Sequence, residues 1–167
     1  MSVFTDSVLQ VEVLDGDNYK LLSPIVWYLE HENDKGARCV IHAGFVTDFD
    51  STPETIKWMP IVRKIIRSRL KAKKAFIMHD FGHDCGFIYI LDKEGLWEPH
   101  RVEDLEFWND KMAEAMIAEG STGFTTKVFR KGVSSWLGRK AWNRNRPKRV
   151  ASFAAARIRY DRLRTIS

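Results

Sequence analysis

Thr47-Asp48-Phe49-Asp50-Ser51-Thr52-Pro53 is the stretch on which the fold turns. Before it, apolar residues alternate with polar ones, the period of a half-buried strand; after it they recur every three to four residues, the period of a helix. The stretch also carries helix-start chemistry, since Ser51 or Thr52 can cap a helix with Pro53 at its first position and Glu54 in its first turn. Upstream, residues 8–14 alternate and Asp15-Gly16-Asp17-Asn18 supplies a turn. Residues 19–29 make a longer strand interrupted at Ser23-Pro24, Asn33-Asp34-Lys35-Gly36 turns again, and residues 38–49 form a third strand with Gly44 as a bulge. The expectation is an α+β fold: an N-terminal antiparallel β-meander packed against a C-terminal helical layer.

Downstream, a helix is expected over about 70–84, then a short strand or extended loop at 88–91. The clearest amphipathic helix covers 101–119, with Leu105, Trp108, Met112, Ala115 and Met116 on one stripe and Gly120 as its stop. Another helix is expected over about 125–137. Residues 139–164 read as helix except at Pro147, which breaks or kinks it.

The formal charge of +5 conceals a division. Residues 1–126 hold 14 Lys/Arg against 21 Asp/Glu, whereas residues 127–167 hold 13 against one. The reading is a single α+β domain over 1–138 and a basic helical C-terminal extension over 139–167. Such a tail can fold back on the acidic body, bind nucleic acid or dock on an acidic partner. Its large apolar groups after Trp142, namely Phe153, Ile158 and Leu163, share no stripe. The tail is therefore expected to be mobile alone and ordered against a partner protein, a second copy or nucleic acid. Trp136 and Trp142 beside Arg139, Lys140 and Arg144 form an aromatic-basic patch. Residues 57–74 carry eight Lys/Arg and no acid, read as a solvated face.

Cys39 and Cys85 form no CxxC pair, which argues against a thiolate zinc site and fits a reducing compartment. The acidic first twenty residues are unlike a secretory signal, and no apolar run is long enough to span a membrane.

Chemistry concentrates in Met78-His79-Asp80-Phe81-Gly82-His83-Asp84, at the end of an apolar helical run. On a helix, Ala72, Ala75, Phe76, His79 and His83 share a face, and histidines at i and i+4 can share a divalent cation. Asp48, His79, Asp80, His83 and Asn109 are the residues expected to converge. As a reactive site, Asp48, His79 and Asp80 are the catalytic candidates and His79, His83, Asp80 and Asn109 the candidate ligands of zinc, manganese or magnesium. Such an ion would activate water for phosphoester or amide hydrolysis. His79 and Asp80 point about 100° apart, so one of them would act through the other's surroundings. Without metal, the same residues make a structural network in which Asp48 caps a helix and Asp80 orients His79. Both readings stand on the sequence.

Three segments resemble a family of small, mostly phage and prophage proteins, the domain of unknown function 1353. The first is Gly44-Phe45-Val46-Thr47-Asp48-Phe49-Asp50-Ser51-Thr52-Pro53, similar to the family's G-F-x-T-D-F-x-S-x-P signature. The second is His79-Asp80-Phe81, and the third Asn109-Asp110-Lys111-Met112-Ala113-Glu114-Ala115-Met116 with Gly120 following. The resemblance covers roughly residues 8–136 and leaves the tail outside. Asn109 stands where the family has Asp, and His83 where an aromatic closes the motif. The resemblance implies phage or prophage origin, synthesis in the host cytoplasm, and association with a virion. It fits two functions: an accessory protein with a His/Asp metal-assisted hydrolase site, or a non-enzymatic virion or assembly component. In either, the expected partners are other phage proteins or a second copy through residues 139–167, with nucleic acid as a further candidate.

Overall fold

The computed structural model describes residues 3–4, 8–15, 18–29, 36–47 and 72–166. The Ser51–Pro53 helix start, the basic run up to residue 71 and Asp48 lie outside the described residues.

The fold is α+β, with N-terminal antiparallel strands in two sheets and C-terminal helices packing against them. Eight strands are described: β1 (Val3–Phe4), β2 (Val11–Val13), β3 (Tyr19–Leu21), β4 (Ile25–Leu29), β5 (Ala37–Ile41), β6 (Val46–Thr47), β7 (Phe87–Leu91) and β8 (Trp97–Arg101). One sheet has the order β1-β4-β5-β7-β8 and the other β2-β3-β6.

The single meander expected from the alternation is therefore divided, and the divisions fall where the backbone chemistry puts them. Pro24 has no N–H to give a ladder, and the chain changes sheet there between β3 and β4. Gly44 takes φ +88°, a conformation costly for other residues, and the chain changes sheet again between β5 and β6. The two breaks are tied together, because Gly44 N–H donates to the Leu21 carbonyl at 2.8 Å and Leu21 N–H to Phe45 at 2.9 Å. Alternation then does its work within each short strand. Ile25, Trp27 and Leu29 face inward on β4, as do Ala37, Cys39 and Ile41 on β5, with Trp27 opposite Cys39. The segment after residue 86, read from sequence as strand or loop, pairs with its successor as the hairpin β7–β8 and widens the sheet.

Among the described residues five helices follow or interleave: α1 (Lys73–Asp84), α2 (Leu105–Ala118), α3 (Gly123–Val133), α4 (Trp136–Arg144) and α5 (Arg146–Ile166). Asp104 caps α2 by accepting the Glu106 N–H, and Thr122 and Ser135 cap α3 and α4. The helix expected to end near residue 137 instead stops at Ser134-Ser135, because Ser135 is a better cap than an interior residue. The tail is broken beside Pro147 as expected: α4 ends at Arg144, and Pro147 sits in the first turn of α5, where its missing N–H has no intrahelical acceptor to serve.

α1 packs against α2 at close range. A Cβ on Gly82 would lie 2.3 Å from the Trp108 ring, a separation that only hydrogen in place of a side chain allows. Gly82→Ala should lower stability by about 2 kcal/mol, overpacking outweighing the helix propensity gained. A denaturant midpoint at or above that of the parent would show that the two helices have room to part.

The tail is not loose. α5 lies along β8 and against α1. Arg149, Phe153, Ala156 and Tyr160, at i, i+4, i+7 and i+11, fall within about 60° of one another on a helix. Arg149, Ala156 and Tyr160 are buried. The large apolar groups counted from sequence omitted the stem of Arg149 and the ring of Tyr160, which is why no stripe was visible. The acidic partner is the body itself: Arg157 pairs with Glu98, Arg164 with Glu94 and Lys148 with Asp84, while the Tyr160 hydroxyl donates to Asp92 at 2.6 Å. The division at 138/139 falls inside α4, and Trp142 and Ala156 from beyond it join the buried apolar cluster.

Candidate functional site

The helix carrying the His–Asp motif is almost enclosed: Ala75 to His79, Phe81 and Gly82 are all buried. His79 is 2 % exposed and Asn109, directly across on α2, is 0 %. The His79 Nε2 lies 3.0 Å from Asn109 Oδ1, and Asn109 Nδ2 donates to Ser134 Oγ at 3.0 Å. The Ser134 hydroxyl in turn donates to Glu106 at 3.2 Å. The amide orientation makes Asn109 an acceptor towards His79, so the imidazole carries a proton on Nε2. Every donor in this series finds an acceptor, and the series runs outward from the core to a surface carboxylate. It joins α1 and α2 to the segment between α3 and α4.

Burial pushes the His79 imidazole down to about 4, the Asn109 bond offsetting this only in part. His83, one turn on, is pushed down to about 2 by burial first, then by His79 and by the nearby Arg149 guanidinium. The two rings stand 4.5 Å apart. His79 Nδ1 and His83 Nε2 are buried without a hydrogen-bond partner. The shared face foreseen from the i, i+4 spacing is thus present, and Asn109 joins it.

Asp80 does not. It points away from the pair, as the 100° step requires, and its carboxylate accepts the Thr47 hydroxyl at the end of β6. Asp80, expected to orient His79, leaves that place to Asn109. Asp48 lies outside the described residues. Among the described residues no three His, Cys, Asp or Glu side chains cluster closely enough to hold a metal ion. Two neutral imidazoles and a carboxamide bring no negative charge, and the guanidinium of Arg149 beside His83 opposes a cation. The described donors do not fit the divalent ion that the motif suggests.

Arg149 is the residue the sequence reading passed over. It is 2 % exposed despite its place in the basic tail. Its Nη1 donates to the His83 carbonyl at 3.1 Å and the Trp142 carbonyl at 2.7 Å, and its guanidinium lies 3.6 Å from the centre of the Trp142 ring. Trp142 packs edge-on to His83 at 5.3 Å. One side chain of α5 thus closes the end of α1 and the end of α4 together. The seven-residue interval from Trp142 to Arg149 was the only signal in the sequence. Asp84 adds a second fastening, accepting from Asn145 Nδ2 at 2.8 Å and Lys148 Nζ at 3.2 Å.

Glu119, equally unforeseen, closes the other end of α1. Its carboxylate accepts the N–H of Ala75 at 3.0 Å and of Lys74 at 3.4 Å. Burial nevertheless raises it to about 7, above the usual carboxylate range, against the pull of those two bonds. A raised carboxylate holds its proton in the folded chain after the unfolded chain has lost it. Its contribution to stability therefore declines as pH rises from about 4.5 to 7. Glu119→Gln should melt higher than the parent at pH 8 and level with it at pH 5. A lower melting point at pH 8 would mean that the ionised cap outweighs the cost of burying it.

No family model, curated protein or solved structure matches the chain. No helix among the described residues is long and apolar enough to cross a membrane.

Proposed function

We propose that this chain is a non-enzymatic component of a phage-type particle or of its assembly, its histidine cluster fastening the helical layer and its basic helical end docking on neighbours. The observation that carries this reading is the His79–Asn109 bond. A hydrolytic histidine must present a ring nitrogen to water, metal or substrate. Here Nε2 is committed to a fully buried amide, and Nδ1 faces the interior without access to solvent. The phage setting is supported by the Gly44–Pro53 and His79–Phe81 resemblance, and the docking role by Arg139, Lys140 and Arg144, exposed on α4 without an acidic partner among the described residues.

The test is made in the phage or prophage that encodes the chain. The protein is expected in purified particles or in an assembly intermediate, and His79→Gln is expected to be incorporated at any temperature at which it remains folded. Hydrolysis of a cell-wall or phosphoester substrate by the purified chain with zinc, manganese or magnesium, lost in a folded His79→Gln variant, would overturn the reading in favour of a metal-assisted hydrolase.

A further inference from the structure

Among the described residues most aromatic side chains are inside or half-buried, but Trp136 is 70 % exposed, as is Phe124 at 73 %. Trp136 opens α4, and three basic residues lie on or beside its face together with the neutral, exposed Asn143. Lys140 and Arg144 follow at i+4 and i+8, within about 80° of it on a helix, and Arg139 flanks them. Lys140 Nζ lies 5.3 Å from the centre of the Trp136 ring. Trp142, its apparent companion in the sequence, is turned inward against His83 and Arg149 and is not part of this face.

The charges of the basic end fall into two sets. Those on the body side are answered: Arg157 by Glu98, Arg164 by Glu94, Lys148 by Asp84, and Arg130 by Asp110. Arg139, Lys140 and Arg144 are exposed, and among the described residues they have no acidic partner. Nor does the local sequence offer one, since the forty residues from Ser121 to Tyr160 contain no Asp or Glu. Among the described residues these three cations of α4 are thus without an ion pair, while those facing β8 and α1 have one.

We propose that this face binds single-stranded nucleic acid, a base stacking on Trp136 and the phosphates lying along Arg139, Lys140 and Arg144. The eight-residue interval from Trp136 to Arg144 spans about 12 Å, the length of about three stacked nucleotides at 3.4 Å per strand. Exposed indole beside cations is the combination that single-strand binding surfaces use, rings holding bases while the charges track the backbone. A flat ring with cations on both sides of it suits a base between phosphates, and the competition with polyglutamate below distinguishes an acidic protein. The proposal names the partner of the docking surface described above and rests on that reading.

The experiment is a titration of a labelled oligothymidylate of about twelve nucleotides with the full chain, followed by anisotropy and by tryptophan quenching. Binding is expected to weaken with salt at a logarithmic slope near −2, since three phosphate contacts on a single strand give about −0.7 each. Trp136→Ala should weaken it about tenfold, the loss of one stacked base. The combined Arg139→Glu, Lys140→Glu and Arg144→Glu variant should weaken it at least a hundredfold at low salt. Melting curves matching the parent establish that these exposed substitutions leave the fold intact. Absence of binding at low salt overturns the proposal. So does an affinity indifferent to Trp136, or polyglutamate competing as well as the oligonucleotide, the latter assigning the face to an acidic protein. A chain that fails this test but is present in particles fails here alone, and its place in the particle stands.

Discussion

Replacing Arg149 by alanine should cost about 4 kcal/mol of stability and lower the melting temperature by about 10 °C. The loss has three sources. The carbonyls of His83 and Trp142 lose a charged donor in a buried setting, where an unmet acceptor costs about 1–3 kcal/mol. The Trp142 ring loses the guanidinium that covers it at 3.6 Å. The stem of Arg149 also leaves a void between α1 and α5. Arg149→Lys should recover only part of this, because an ammonium cannot lie flat on the ring while reaching two carbonyls. Exposed arginines of the same tail, such as Arg159 and Arg162, should tolerate alanine within about 0.5 kcal/mol. Equal effects at buried and exposed positions would mean that the tail is held by net charge and not by this contact.

The second large effect is a loss of stability in acid that begins before the carboxylates titrate. His79 and His83 are both lowered from 6.5, to about 4 and about 2. Below pH 6.5 the unfolded chain comes to hold two protons on these rings that the folded chain refuses. Glu119 works in the opposite sense, holding one in the folded chain that the unfolded chain has released. The balance of these three groups is about one proton more on the unfolded chain, so stability should fall by about 1.4 kcal/mol for each pH unit of acidification. In Glu119→Gln the slope should approach twice that, and in His79→Gln it should nearly vanish. Urea unfolding at half-unit intervals of pH measures all three. A flat profile in the parent between pH 6.5 and 4.5 would place the histidines in contact with water.

The α+β division was legible because period is a local property: each strand and helix carries its own alternation or its own stripe. Sheet membership was not, since Ser23-Pro24 and Gly44 read equally well as an edge and a bulge within one meander or as crossings between two sheets. Only the pairing of β7 with β5, across nearly fifty residues, shows the larger sheet to be the central one. In the histidine cluster, burial and the common face of His79, His83 and Asn109 followed from helical spacing and from the apolar run around them. The partner did not. A carboxylate at residue 80 is adjacent in sequence but turned away in space, whereas an amide thirty residues distant is opposite. The tail was misjudged for a related reason: hydropathy counts an arginine as polar throughout, although its stem and flat guanidinium are well suited to covering a buried tryptophan.

The account stands most directly on the protonation and partnership of His79. Nitrogen-15 NMR of the imidazoles reports both, in the full chain, with chelator and again with zinc or manganese. The expected result is a neutral His79 with its proton on Nε2 from pH 8 down to about pH 5, a bond to Asn109 that Asn109→Ala abolishes, and resonances that do not move when metal is added. A His79 that titrates near 6.5, or whose Nδ1 shifts on adding metal, would contradict a structural role and return the cluster to the chemistry its sequence first suggests.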